Sequence, residues 1–485
     1  MNKILKNHWP VILYLLFYTI IFGVKLIQNP FPFFDWDESI YAQVGKEMIN
    51  GWSIVPLWQG QAWLDKPPLV PLFYGLIIRA TPFLLPEISS RLATLFLSTF
   101  ALGLLYALYF KVLKESWLTT LVVIITSLTS IFLQRAQVLN VDIFLLLGWL
   151  GYMVFYKRFW VSLLFLSLAV YSKSLIGFYP VGIMGLFYTY QFATKQISLK
   201  EVLLQIKRLV LQVGILGLWH LAMFAAYGEP FLYQHFYESH VKRVTASIES
   251  HFGKRTFYID LLFEQYGRYA FISVVGFIIL ITQWFKKQLS NKHVLFALFL
   301  FPWFLFLNLT KTKIFWYGHP YLGQFALLML YPLILLKRFR LVYMSVIIVA
   351  MGMVLQYYFV QQTVLDDFYS STDPHHILAK EAGDRCETLY VMIEPEGRIA
   401  SQTLESMDLL ITTSKWWGNH PSMVYYFEGD LSFIYTLEEL ANIDAESRDG
   451  YCIAVHQNDS EALDIITQYD VLQTYNPYIL YIASN

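Results

Sequence analysis

Three carboxylates crowd the stretch FPFFDWDESIYAQVGKEM, where Asp35, Asp37 and Glu38 stand among Phe33, Phe34 and Trp36. A carboxylate at an apolar boundary can take a proton from a hydroxyl as a general base. The same acids would also suit the first turn of a helix from Ser39 to Met48, beside its positive dipole end. Further on, WLDKPPLVPLFYG sets Asp65 and Lys66 before Pro67 and Pro68. The prolines fix an extended lead-in to an apolar segment. A lysine there either meets a phosphate at headgroup depth or snorkels from a helix end. Lys173, Lys311 and Lys313 likewise stand in turns between apolar runs. Ionisable groups in such positions are functional candidates by default. His220, His240 and His251 lie beside aromatic residues and read as hydrogen-bonded structural groups rather than metal ligands. Trp416 and Trp417, in KWWGNHP, read as a core or domain-interface anchor before a sugar-stacking platform.

The elements that must hold these groups are apolar. The 485-residue chain is 56% hydrophobic and 14% charged, with a mean hydropathy of +0.47. Soluble domains carry nearer a quarter charged residues, so the solvent is lipid. A formal net charge of +0 gives a nucleic-acid partner no electrostatic support. The run from Val11 to Ile27 is long for a signal peptide and reads as a retained membrane helix.

Apolar segments recur at 9–28, 88–110, 116–133, 138–156, 159–173, 175–192, 208–226, 269–285, 293–309, 314–336 and 341–361. They predict a multi-pass α-helical membrane protein of about eleven spans, or twelve to thirteen with further segments counted. The proline-broken segment 67–86 reads as re-entrant, interfacial or a twelfth span. With the N-terminus (Lys3, Lys6) in the cytoplasm and 67–86 not crossing, the basic clusters share one side. They are Lys111 and Lys114; Lys157 and Arg158; Lys195, Lys200 and Lys207; Lys286, Lys287 and Lys292; and Lys337, Arg338 and Arg340. This is the positive-inside pattern. It leaves the loops 29–87 and 227–268, the turns at 135–140, 172–173 and 310–313, and the tail outside.

The chain therefore divides into a membrane domain over 1–361 and a polar extracytoplasmic module over 362–485. In the module, the strand-like runs TLYVMIE, LSFIYT, YCIAVHQ and YILYIAS alternate with helical stretches near 436–443 and 460–468, predicting a small α/β fold. Cys386 and Cys452 could pair in an oxidising compartment.

Several of these segments resemble, in order, the polyprenyl-phosphate-sugar glycosyltransferases of the GT-C type, a group that includes the bacterial aminoarabinose transferase and the protein O-mannosyltransferases. The matching strings are DESIYAQVGKEM at 37–48, LDKPPL at 64–69, SSRLATLF at 89–96, QVLNVDIFLLLGWL at 137–150, YSKSLIGFYP at 171–180, LWHLAMFAAYGEPFLYQHFYESHVKR at 218–243 and TKTKIFWYGHPYLGQFALLM at 310–329. Val141, Ser174, Leu175 and Leu218 depart from the family's usual residues.

The resemblance implies roles. Asp37 matches the catalytic acid, the general base on an acceptor hydroxyl. Glu38 and Asp142 match positions that orient the acceptor or a divalent cation; no cofactor beyond such a cation is implied. Lys66 matches the lysine that contacts the donor phosphate, and Arg91, Lys173, Arg243, Lys311 and Lys313 fall in segments where phosphate-binding cations are expected. The implied partners are a polyprenyl-phosphate-linked sugar and an envelope glycan, lipid or protein acceptor, at the outer face of a bacterial inner membrane. The chemistry is coherent, because cations fixed at the membrane face stabilise the charge that grows on the departing phosphate. A base on the opposite face of the sugar predicts inversion at the anomeric carbon. A secondary transporter or flippase is the rival. Its charges would sit near the bilayer midplane, within broken and often repeated helices. A non-catalytic binder of lipid carriers is a third reading.

Overall fold

The computed structural model describes residues 2–348, 350–352, 354, 374–445 and 450–482. The chain opens with the helix Asn2–Gln28. Helix Pro86–Leu113 starts on a proline, whose fixed φ suits a first turn. Its 28 residues rise about 42 Å at 1.5 Å each, more than a hydrocarbon core of about 30 Å.

Among the described residues, six helical stretches are long and apolar enough to cross: Asn7–Gln28, Pro86–Leu113, Phe159–Ala193, Leu199–Thr245, Phe257–Phe285 and Asn291–Leu309. This corrects the expected eleven. The segments 159–173 and 175–192 run together through a 3₁₀ turn at Ser174–Phe178. Segments 116–133, 138–156 and 314–336 contain the helices Ser116–Ser127, Asp142–Phe155 and His319–Leu330, of 12, 14 and 12 residues. Such helices reach only about 18–21 Å. Asp142–Phe155 is instead buried by its neighbours from Asp142 to Met153. The segment 67–86 forms a 12-residue helix, Leu69–Ala80, also too short to span. The last expected span, 341–361, falls partly outside the described residues, as does the domain boundary at 361.

The loops expected on the outer side are more helical than the sequence suggested. Loop 29–87 holds the helix Asp37–Asn50, packed backbone to backbone on Leu69–Ala80. A Cβ on Gly45 would collide with the Pro71 carbonyl oxygen, and one on Gly75 with that of Gly45. Glycine permits this approach. The expected loop at 227 is instead the continuation of helix Leu199–Phe231, kinked at Gly228, into a π-helical stretch Leu232–Lys242. His235, Glu238, Ser239 and Lys242 are buried there, so its polar residues face protein rather than water.

Two ends of the bundle differ in chemistry. Lys111, Lys157, Arg158 and Lys292 line one cavity of about 500 Å³. Lys111 and the pair Lys157–Arg158 lie at or just past the far ends of helices whose opposite termini carry Arg91 and Asp142, and Lys292 lies in the first turn of helix Asn291–Leu309. The side chains of Lys3, Lys6, Lys337 and Arg338 lie outside the described residues.

A short hairpin, β1 (Leu57–Trp58) and β2 (Gln61–Ala62), turns through Gln59 and Gly60, both at positive φ. The C-terminal module is a five-stranded sheet of β3 (Thr388–Met392), β4 (Asp430–Ile434), β5 (Tyr451–His456), β6 (Asp470–Tyr475) and β7 (Tyr478–Ile482), in the order β4-β3-β5-β7-β6. Strands β4, β3 and β5 are parallel; β7 and β6 run antiparallel. Cys386 and Cys452 form a disulfide with Cα atoms 5.8 Å apart. The bond closes 66 residues of chain. Replacing both cysteines by serine is expected to cost the module roughly 2–4 kcal/mol, read as a lowered unfolding midpoint.

Tyr426 Oη accepts a hydrogen bond from Phe33 N (2.8 Å) and donates to Glu87 (2.5 Å), tying the module to the membrane domain. Trp417, 4% exposed, meets Trp58 and Trp63 edge-on with centroids 4.6 and 6.0 Å away. It is the interface anchor its composition suggested.

Candidate functional site

Beneath the module lies a cavity of about 430 Å³ at the acidic end of the bundle. Its walls come from the 34–41 loop and helix, the 63–66 segment, the 134–141 turn, Lys173 and Ser174, the 239–251 segment and Trp316–Tyr317. Ile411, Thr413 and Trp417 of the module cover it.

Asp37 opens helix Asp37–Asn50, and its side chain is 34% exposed. Arg135, 6% exposed, donates from one nitrogen to Asp37 Oδ2 (2.9 Å) and to Asp142 Oδ2 (2.9 Å). Asp142 Oδ1 accepts from Lys173 Nζ at 2.6 Å. Aromatic faces support both cations: Arg135 lies 4.9 Å from the Trp316 ring and Lys173 4.3 Å from that of Tyr317. Asp142 is thus held between two cations, while Asp37 keeps an open edge on the cavity.

Glu38, one residue on, is used differently. It is 2% exposed and forms a two-pronged pair with Arg91, Nε to Oε1 at 3.0 Å and Nη2 to Oε2 at 2.6 Å. Backbone N–H groups of Phe34 and Leu139 also donate to it, each at 3.0 Å. Arg91 also donates to the carbonyls of Phe31 and Pro32, both at 2.8 Å. Glu38 and Arg91 thus form a buried staple joining helix, loop and turn.

Lys66 reaches the cavity and donates to Asp65 Oδ2 at 2.6 Å. Ser239 also donates to Asp65. Burial alone would raise the Asp65 carboxyl; the Lys66 ammonium and the Arg243 guanidinium outweigh it and hold the group below its usual range. Arg243 lines the cavity, 3.6 Å from Glu249, and its buried Nε lacks a hydrogen-bond partner among the described residues. Tyr41 remains a neutral phenol, because burial and the nearby Asp37 charge push its pKa well up.

The other two expected cations lie elsewhere. Lys313 donates to the carbonyls of Leu307 and Asn308 (2.8 and 3.0 Å), capping the C-terminus of helix Asn291–Leu309. Burial pushes its amine down. Lys311 is exposed.

Arg135 and Asp65 were missed as site residues in the sequence. A lone arginine in an apolar stretch was the available signal for Arg135. His220 and His235 flank Ser174 Oγ at 3.1 and 2.7 Å, so His220 is hydrogen-bonded. His240 and His251 line the cavity itself, and burial lowers the His251 pKa. Asp35, His375 and His420 converge, with ligand atoms within 4.8 Å of one another, as a cluster able to hold a divalent cation. Glu38 and Asp142, already paired with cations, are not part of it.

No protein-family model matches the chain. An uncharacterized protein of Aquifex aeolicus (strain VF5) is 28% identical over 329 residues, 65% of this chain and 60% of that relative's own length. Among solved structures, ArnT from Cupriavidus metallidurans bound to undecaprenyl phosphate superposes with a TM-score of 0.71 at 12% identity, over 98% of this chain and 99% of that one. The archaeal oligosaccharyltransferase AglB from Archaeoglobus fulgidus, in complex with an inhibitory peptide and a dolichol-phosphate, gives 0.58 at 12% identity, over 99% of this chain and 75% of that one. The chain thus has a GT-C-like fold: a multi-pass helical membrane protein with a small C-terminal α/β sheet domain.

Proposed function

We propose that this protein is an inverting glycosyltransferase. It moves a sugar from a polyprenyl-phosphate donor to a hydroxyl acceptor, in a lipid glycan, polysaccharide or protein, at the outer face of the membrane. The observation that carries the proposal is the meeting, in the lining of one cavity, of the one-third-exposed Asp37 carboxylate and the cations Lys66 and Arg243. The likeness in fold to a protein solved with undecaprenyl phosphate supports the donor class. The disulfide and the gathering of basic connections at the far end of the bundle support an extracytoplasmic site.

In this account Asp37 takes the acceptor proton as the hydroxyl attacks the anomeric carbon. Arg135 orients Asp37 through Oδ2, leaving Oδ1 for that proton. The carbon–oxygen bond to the carrier breaks, and the negative charge developing on the phosphate is met by Lys66 and Arg243. Preorganised cations in a water-poor cavity stabilise such charge where it forms. Lys173 and Asp142 fix Arg135 rather than touching the sugar. The module excludes water from above. The ionised groups gather at one end of the bundle, unlike the midplane sites of transporters.

Purified protein given a radiolabelled polyprenyl-phosphate sugar and crude envelope lipid is expected to move the label and release polyprenyl phosphate. Transport of an intact donor would refute the proposal. Lys66→Ala is expected to raise KM for the donor by roughly tenfold or more, the scale of one lost charged hydrogen bond. Unchanged donor kinetics would remove Lys66 from the phosphate site.

A further inference from the structure

Away from the Asp37–Arg135 chemistry, a second polar cluster joins the first outer loop to the module. Asp35, two residues before Asp37, accepts from Ser422 N through Oδ1 at 2.9 Å. Its Oδ2 faces His420 Nδ1 at 3.3 Å. The other ring nitrogen, His420 Nε2, lies 3.5 Å from Tyr478 Oη. Tyr478 donates its hydrogen to Glu394 Oε2 at 3.3 Å, and Asn419 donates to Glu394 Oε1 at 3.1 Å. With the phenol proton committed to Glu394, His420 Nε2 is the donor to Tyr478. Nδ1 then meets the Asp35 carboxylate either as an N–H donor or, with its lone pair, through a bridging cation. His375, 4% exposed, stacks on His420 with centroids 3.6 Å apart, bringing a second imidazole to the same point.

We propose that Asp35, His375 and His420 form a Zn²⁺ site that clasps the C-terminal module to the loop carrying Asp37. Two imidazoles and a carboxylate suit zinc and related transition ions, whereas Mg²⁺ and Ca²⁺ require mostly oxygen ligands. Tetrahedral zinc with bonds of about 2.0–2.1 Å separates its ligand atoms by about 3.3–3.5 Å. The three ligand atoms already lie within 4.8 Å, so small side-chain rotations close the site. The Asn419–Glu394–Tyr478 chain is the outer layer that fixes the His420 tautomer. The clasp holds the loop just before Asp37 against residues from separate parts of the module, so the ion would set how firmly the cavity is covered. It stands independently of the sugar-transfer proposal.

The test needs no turnover. Full-length protein in detergent, exposed to ZnCl₂ and then desalted, is expected to retain about one zinc per chain by elemental mass spectrometry. A chelator should lower its Tm, and Mg²⁺ should not restore it. His420→Gln should lose both the zinc and the response to chelator. Tyr478→Phe should retain the site but bind zinc roughly tenfold or more weakly. If His420→Gln does not fold, Asp35→Asn, equal in shape, provides the same readout. Wild-type protein that emerges metal-free, with a Tm indifferent to zinc and chelator, overturns the proposal. Equal zinc retention by wild type, His420→Gln and Asp35→Asn overturns it as well.

Discussion

Asp37→Asn is expected to lower sugar-transfer turnover by about 10²- to 10⁴-fold, the range for loss of a general base, while the protein folds normally. The separation of effects follows from the surroundings. Asp37 is one-third exposed and has one ion pair. Arg135, its partner, keeps a second carboxylate in Asp142. An amide therefore leaves no buried cation stranded and preserves the side chain's shape. Donor KM should change far less than kcat, because the proposal assigns the phosphate to Lys66 and Arg243 rather than to Asp37. Full turnover in the Asn variant would remove Asp37 as the base. A matching fall in Tm and turnover would make its role structural.

Glu38→Ala is expected to have the inverse profile. Removing this carboxylate leaves the 2%-exposed guanidinium of Arg91 without its partner and two backbone N–H groups without their acceptor. Breaking a buried pair in this way costs about 3–5 kcal/mol, a large share of the stability of an ordinary domain. The expected result is a steep drop in folded yield and Tm, with near-normal turnover per folded molecule. Replacing Glu38 and Arg91 together by methionine should recover part of the loss, since no charge is then left unpaired. A stable Glu38→Ala protein lacking activity would instead return Glu38 to the reacting centre.

These adjacent acids show what the sequence could and could not convey. That Asp37 and Glu38 begin a helix beside a membrane boundary was legible from aromatic neighbours and charge. Their division of labour was not, because it depends on Arg91, which comes from another helix altogether. Similarly, Lys66 and Lys173 were legible as cations at helix mouths and Arg243 through the family resemblance, and all three line the cavity. Lys313 looked identical in sequence but caps a helix, a difference set by which carbonyls the fold brings near. The strands β3, β4, β5 and β7 were visible as apolar or aromatic runs. The mostly exposed β6, DVLQTY, lacked that signal. Span number was the least legible feature. Hydropathy reports that a segment avoids water, not whether lipid or protein surrounds it, and Asp142–Phe155 is apolar because neighbouring helices bury it.

The central claim is a single displacement, with Asp37 on one face of the sugar and the carrier phosphate leaving from the other. NMR of the glycan product made by purified protein from a donor of known anomeric configuration tests it directly. The opposite configuration in the new bond is the predicted result. Retention at that carbon, or recovery of the donor with its sugar–phosphate bond intact, would contradict the account.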